Sequence, residues 1–324
     1  MSEPRHRVVS ANGIRIHLVE QGEGPLVLLV HGFPESWYSW RNQLPALADA
    51  GYHAVAIDVR GYGRSSKPAA IDEYRVIKQA GDNLGVVAAL GETTATIVGH
   101  DWGSPIAWHS ALLRPDVFTS LVLMSVPYAP RGLTKPTDAF RDMGGAEEFY
   151  IEYFQEPGRA EREIEEDVRS WLLGFYYGAS GDAPPVPGGT LATIPHGARM
   201  RDRFPIPDAL PAWLSADDLE FYVGEFERTG FTGGLNRYRN VDRDWEDFAA
   251  FTHRPIEVPS LFIGGERDGP TVWGAPSIAR FPQNLPGLRG THILEGCGHW
   301  VQQERAPQVN ALLVEFLRTL PSLP

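Results

Sequence analysis

The chain has a single cysteine, Cys297, in 324 residues, so an intramolecular disulfide is impossible and an oxidising compartment is not indicated. It has no long apolar run: PLVLLVHGF at 25–33 is the longest, too short to span a bilayer. The opening MSEPRHRVVSANG lacks the apolar core of a signal peptide, which points to a cytoplasmic protein that does not enter a membrane. Positive charge is scarce. With 29 basic against 41 acidic side chains and a net charge of -12, the surface repels phosphate backbones and anionic lipid, so nucleic acid is not expected as a partner. None of the 10 histidines falls in a close pair of the H-E-x-x-H kind, and no metal site is expected. Internal repeats, heptads and low-complexity tracts are missing too.

What is present reads as α/β. LVLLV (26–30), HAVAI (53–57), TATIV (94–98) and SLVLM (120–124) show no polar alternation, as expected of parallel strands buried on both faces. Between them, WRNQLPALADAG (40–51) and IKQAGDNLGVVAALG (77–91) have helical length and close on a glycine, giving β-α-β units. From about residue 128 to 245 the chain turns aromatic, charged and loop-rich, with a Pro/Gly break in GDAPPVPGG (181–189). Buried strands return in IEVPSLFIGGERD (256–268) and GTHILEGCGHW (290–300), before an amphipathic helix at 306–320. The order predicts a core in two parts, 1–127 and 246–324, interrupted by a mainly helical cap at 128–245.

VGHDWGSPIAW (98–108) has the spacing of a nucleophile elbow, with Gly99 and Gly103 bracketing Asp101 where a serine often stands. The difference is chemical. A hydroxyl that displaces a group from saturated carbon ends as an ether, which water does not readily cleave. A carboxylate ends as an ester, which water hydrolyses through a tetrahedral oxyanion. Asp101 therefore suggests opening of a strained or activated carbon–oxygen or carbon–halogen bond. The bland alternative is an aspartate that only caps the next helix.

The chain order nucleophile, acid, histidine points to Asp268 in GGERD and His299 in GCGHW, with Glu266 as the rival acid. Asp268 would fix the imidazole tautomer, and His299 would take a proton from water. Two backbone N–H groups are needed for the oxyanion, one after the nucleophile and one after an early strand; Trp102 and Phe33 occupy those positions. Cys297 reads as a small buried residue.

With HGFPESW (31–37), DVRGYGRSSKP (58–68), GHDWG, ERD and GCGHW in this order, the sequence resembles the α/β-hydrolase-fold epoxide hydrolases over nearly its whole length. The likeness extends to FYIEYFQEPG (149–158) and GFTGGLNRYRN (230–240), similar to the family's two tyrosine segments. It implies a mostly parallel sheet flanked by helices, no cofactor, and conversion of an epoxide and water to a vicinal diol by a monomer or homodimer. It also implies that Tyr150 and Tyr238 donate hydrogen bonds to the epoxide oxygen, with Tyr153 the rival to Tyr150. Substrate would be bound by Phe33, Pro34, Trp37, Trp102, Tyr150 and Tyr238. The phosphatase domain of some animal relatives is not part of the likeness. Arg237 departs from the family, which commonly has an aromatic residue before the second tyrosine, and leaves the local pocket wall open. Haloalkane or haloacid dehalogenases share the carboxylate nucleophile, but Phe33 brings no polar side chain for a halide, and Trp102 replaces the arginine usual after the nucleophile in fluoroacetate dehalogenases. A catalytically silent ligand-binding protein on the same fold is the alternative from another class.

Overall fold

The computed structural model describes residues 3–186 and 190–321. Strand β3 (Leu26–Val30) shows how the core is divided: every residue is buried, with Leu26, Leu28 and Val30 in one apolar cluster and Val27 and Leu29 in another. Alternate side chains of a strand face opposite sides of a sheet, so two apolar faces need a run without polar alternation. β4 (His53–Ile57), β5 (Ala95–His100), β6 (Phe118–Met124) and β9 (Ser260–Gly265) follow the same rule.

Eight strands form one sheet in the order β1-β2-β4-β3-β5-β6-β9-β10. All pairs from β4 to β10 are parallel. At one edge, β1 (Arg5–Ala11) and β2 (Ile14–Gln21) are antiparallel to each other, and β2 is antiparallel to β4. This hairpin was not among the elements expected. It turns through Asn12 and Gly13, both at positive φ (48° and 79°), the Asn-Gly turn whose twist matches two antiparallel strands. At the other edge, β10 (Leu288–Leu294) alternates between exposed and half-buried residues. That corrects the expectation of a second buried strand there: an edge strand is covered on fewer sides.

Helices Gln43–Asp49, Val76–Ala89, Gly103–Leu113 and Ala306–Arg318 flank the sheet. The first is shorter than the expected 40–51, because Trp37–Trp40 forms a separate 3-10 turn capped by the Ser36 hydroxyl. Between β6 and β9 the chain leaves the sheet. It forms helices that include Arg159–Glu166, Val168–Gly178, Ala216–Thr229 and Thr232–Tyr238, and a two-stranded ribbon of β7 (Glu148–Phe149) and β8 (Thr193–Ile194). Of the Pro/Gly break anticipated at 181–189, residues 187–189 lie outside the described residues. Trp171 and Phe231 of this inserted segment pack edge-on against Phe33 of the core, and the space left beneath them is the site.

Candidate active site

The turn between β5 and the helix Gly103–Leu113 lifts Asp101 clear of the sheet at φ 51°, a left-handed conformation uncommon for residues with a side chain. Close approach makes the turn possible. A Cβ on Gly103 would lie 2.0 Å from the Val30 carbonyl oxygen, and one on Gly32 would lie 2.2 Å from Asp101 Oδ1. Asp101 Oδ1 accepts the Phe33 N–H at 2.8 Å. Trp102 is the N-cap residue of the helix, where orphan backbone donors favour negative charge.

His299 stands 3.5 Å from Asp101 Oδ2 through Nε2 and 2.8 Å from Asp268 Oδ1 through Nδ1. Asp268, fully buried at the end of the loop after β9, also accepts from the Thr271 hydroxyl at 2.6 Å and its N–H at 3.3 Å. Burial alone would raise the Asp268 carboxyl, but the charge and hydrogen bond of His299 outweigh it and hold the group below its ordinary value. Burial likewise opposes charging of His299, yet Asp268 and then Asp101 raise it well above the usual imidazole value. The imidazole thus lies between two acidic side chains, both of which favour its charged form. The rival acid Glu266 is exposed and, among the described residues, accepts the Gly296 N–H.

Three residues that sequence reasoning missed support this group. The Ser125 hydroxyl, at the end of β6 with φ 69°, lies 3.0 Å from His299 Nδ1 and hydrogen-bonds Asp268. Beneath the histidine, His100 places Nε2 2.8 Å from the His299 carbonyl oxygen and Nδ1 2.8 Å from Glu35. Despite complete burial, His100 holds the Glu35 carboxyl down at about 2. Both lie inside quoted motifs, HGFPESW and GHDWG, which contained the signal. Ser125 had none.

A cavity of about 680 Å³ joins Asp101, Asp268 and His299 to Tyr150 and Tyr238 of the inserted segment, with Phe33, Phe175, Met200 and Trp273 among its apolar walls. The Tyr150 and Tyr238 rings are 6.0 Å apart and perpendicular. Burial, reinforced by the Asp101 charge, raises both phenols above their ordinary value, so both stay protonated. Tyr153 is not among the cavity's described lining residues; it is buried and donates to Glu163.

Pro34, Trp37 and Trp102 are not among the cavity's described lining residues, so the cavity adds no support to their expected contact with substrate. The Pro34 carbonyl accepts the Tyr176 hydroxyl, and the Trp37 ring packs on His6, Tyr38 and Phe221. Trp102 packs edge-on to Tyr238 at 5.0 Å with the Arg237 guanidinium over its ring at 4.7 Å. Arg237 itself is buried, paired with Asp244 and donating to the Tyr74 carbonyl, so it backs Trp102 and leaves the cavity wall to others.

Among the described residues no group of three or more His, Cys, Asp or Glu side chains is arranged to hold a metal ion, and no helix is long and apolar enough to cross a membrane.

A carboxylate elbow, a buried histidine and a second acid along the carboxyl edge of a mostly parallel sheet define a hydrolase of the α/β type. The chain belongs to the alpha/beta hydrolase fold family, whose model matches residues 25–306. Within that family it lies in the branch that holds the following proteins. It is 45% identical to epoxide hydrolase A of Mycobacterium tuberculosis, covering 99% of both chains, and 43% identical to epoxide hydrolase B of the same organism, covering 96% of this chain and 98% of the other. An epoxide hydrolase structure from an endophytic Streptomyces superposes with a TM-score of 0.96 at 64% identity, over 98% of this chain and 96% of that one.

Proposed function

We propose that the protein hydrolyses an epoxide to a vicinal diol through an ester on Asp101, with residues 128–245 acting as the cap that supplies the acid. The observation that carries this reading is one carboxylate shared by two sets of groups. Asp101 Oδ1 is held by the Phe33 N–H, while Oδ2 is within 3.5 Å of His299, and two protonated tyrosines line the same cavity.

In the first step Asp101 Oδ2 attacks an epoxide carbon. The carbon–oxygen bond breaks, and its electron pair goes to the oxygen, which takes a proton from Tyr150 or Tyr238. Neutral phenols in an apolar setting suit that transfer, because their hydrogen bonds strengthen as alkoxide charge develops. Esterification removes the charge of Asp101, one of the two carboxylates that keep His299 protonated. The imidazolium then loses its proton more readily, and the first step prepares the base for the second. Neutral His299 takes a proton from water, whose oxygen attacks the Asp101 carbonyl carbon. Phe33 and Trp102 N–H groups stabilise the oxyanion. Collapse expels the diol with an oxygen that began on Asp101; its alkoxide takes the proton of the His299 imidazolium, the Asp101 carboxylic acid so formed recharges His299, and the proton that His299 gave up after the first step restores the tyrosine.

No step calls for a cofactor. The single cysteine and acidic balance support a cytoplasmic setting, and the reading is framed for a monomer or homodimer acting on a small epoxide and water.

The test is a single turnover in heavy-oxygen water with enzyme in excess. Label should enter the Asp101 carboxylate, and the first diol should be unlabelled. Label in the first diol would overturn the covalent route, and halide release from a chloroalkane without diol formation from epoxides would turn the reading to dehalogenation.

A further inference from the structure

Glu304, half-buried five residues after His299, accepts three backbone N–H groups from two separate parts of the chain. Its Oε2 receives Gly181 N–H and Gly298 N–H, both at 2.9 Å, and its Oε1 receives Trp300 N–H at 3.0 Å. Gly298 and Trp300 flank His299; Gly181 belongs to the inserted segment. No ion pair with a described residue engages this carboxylate, so its charge is spent on peptide donors alone, a strong kind of hydrogen bond.

The joint it closes has no slack. A Cβ on Gly181 would lie 2.1 Å from the Gly296 carbonyl oxygen, and one on Gly298 would lie 2.3 Å from Gly181 N. Around the carboxylate, His299 N–H donates to the Ala179 carbonyl at 2.8 Å, the Trp300 indole to the Tyr176 carbonyl at 2.8 Å, and Arg267 to the Gly181 carbonyl at 2.8 Å. Gly178, Ala179 and Ser180 of the same stretch line the cavity. The main chain that carries the histidine and the wall that faces substrate are thus one hydrogen-bonded unit with Glu304 at its centre.

We propose that Glu304 is a positioning residue for the hydrolytic half of the reaction, locking the 297–300 loop to the 179–181 segment so that His299 is held against the Asp101 ester. The inference rests on the two-step reading above. It is selective because formation of the ester uses Asp101, Tyr150 and Tyr238, none of which hydrogen-bonds Glu304, Gly181 or Gly298 among the described residues, whereas cleavage of the ester depends on where His299 stands.

The experiment resolves the two steps. Glu304→Gln keeps the size of the side chain but turns one acceptor into a donor facing peptide N–H groups. Stopped-flow tryptophan fluorescence with an aryl epoxide, and the mass of acid-quenched enzyme, read ester formation and decay separately. Decay should slow about 10- to 100-fold, the scale of a misplaced catalytic group, while formation stays within about twofold. The ester should then become the main species at steady state. Gly181→Ala loads the same joint from its other side without touching the carboxylate, should give the same imbalance, and decides the question if Glu304→Gln does not fold. Unchanged rates, or equal losses in both steps, overturn the role. The wild-type run separates the two kinds of failure: no ester on Asp101 overturns the reaction and this role with it, whereas an ester whose decay is untouched in the variants overturns the role of Glu304 alone.

Discussion

Along the carboxyl edge of the sheet each reacting group is tied by polar contacts: Asp101 by Phe33 N–H and His299, Asp268 by His299, Thr271 and Ser125, His299 by Asp268 and by main-chain bonds to Ala179 and His100. Across the cavity the tyrosines are held mainly by rings, with one side-chain hydrogen bond, between Tyr238 and Trp102. Tyr238 sits among Phe33, Phe154 and Trp102, and Tyr150 against Phe149 and Phe154. The difference follows from charge. A buried carboxylate or imidazolium must have partners to offset its desolvation. A neutral phenol that has to reach for substrate gains from having few.

Breaking the polar edge should have the largest effect. Asp101→Ala removes the nucleophile and should lower diol formation at least about 10,000-fold, with no ester detectable by mass. His299→Gln should still form the ester but lower turnover about 1,000-fold or more, so enzyme carrying the mass of one substrate accumulates. In the wild type, ester decay should speed up as pH rises through the His299 value, because the base must be neutral. Since the ester no longer carries the Asp101 charge that raises His299, that limb should lie below the value titrated in the free enzyme, for which NMR of the His299 ring is the measure. A decay rate flat with pH would remove His299 as the base.

Disturbing the aromatic side should cost less and fall on the other step. Tyr150→Phe and Tyr238→Phe should each slow ester formation about 10- to 100-fold, the scale of one lost donor to developing charge, and leave ester decay near wild type. If either slowed decay alone, the division of labour between the two sides of the cavity would be wrong.

That division also explains what could be read from sequence. Asp101 and Asp268 follow strands whose apolar runs are plain, and the elbow, the GGERD loop and the GCGHW loop that carries His299 are short contiguous signals. Tyr150 and Tyr238 stand among 11 tyrosines on helices placed by aromatic packing, which has no fixed spacing; family likeness marked them, and periodicity did not. Ser125 was invisible because a serine after a strand carries no motif, and its left-handed φ exists only once β6 and β9 are paired. Trp37 does not line the cavity: its motif fixed its place in the chain but not its direction, which the 3-10 turn at Trp37–Trp40 decides. The Asn12-Gly13 hairpin could have been found from its turn residues, whereas the exposure of β10 depends on its being the last strand of the sheet.

The smallest expected effect gives the sharpest contrast, between two tyrosines three residues apart. Tyr153 donates to Glu163, which also accepts the Trp171 indole, Met200 N–H and Arg201 N–H. Tyr153→Phe therefore leaves Glu163 with three donors and should cost about 1 kcal/mol of stability, a fall of about 1–2 °C in melting temperature for a chain of this size, with activity within about twofold of wild type. Tyr150 has no side-chain hydrogen bond among the described residues and faces the cavity, so Tyr150→Phe should leave the melting temperature unchanged while lowering the rate. Thermal melts and ester-formation rates measured on both variants should cross over. If Tyr153→Phe lost the rate and Tyr150→Phe lost the stability, the acid would belong to Tyr153.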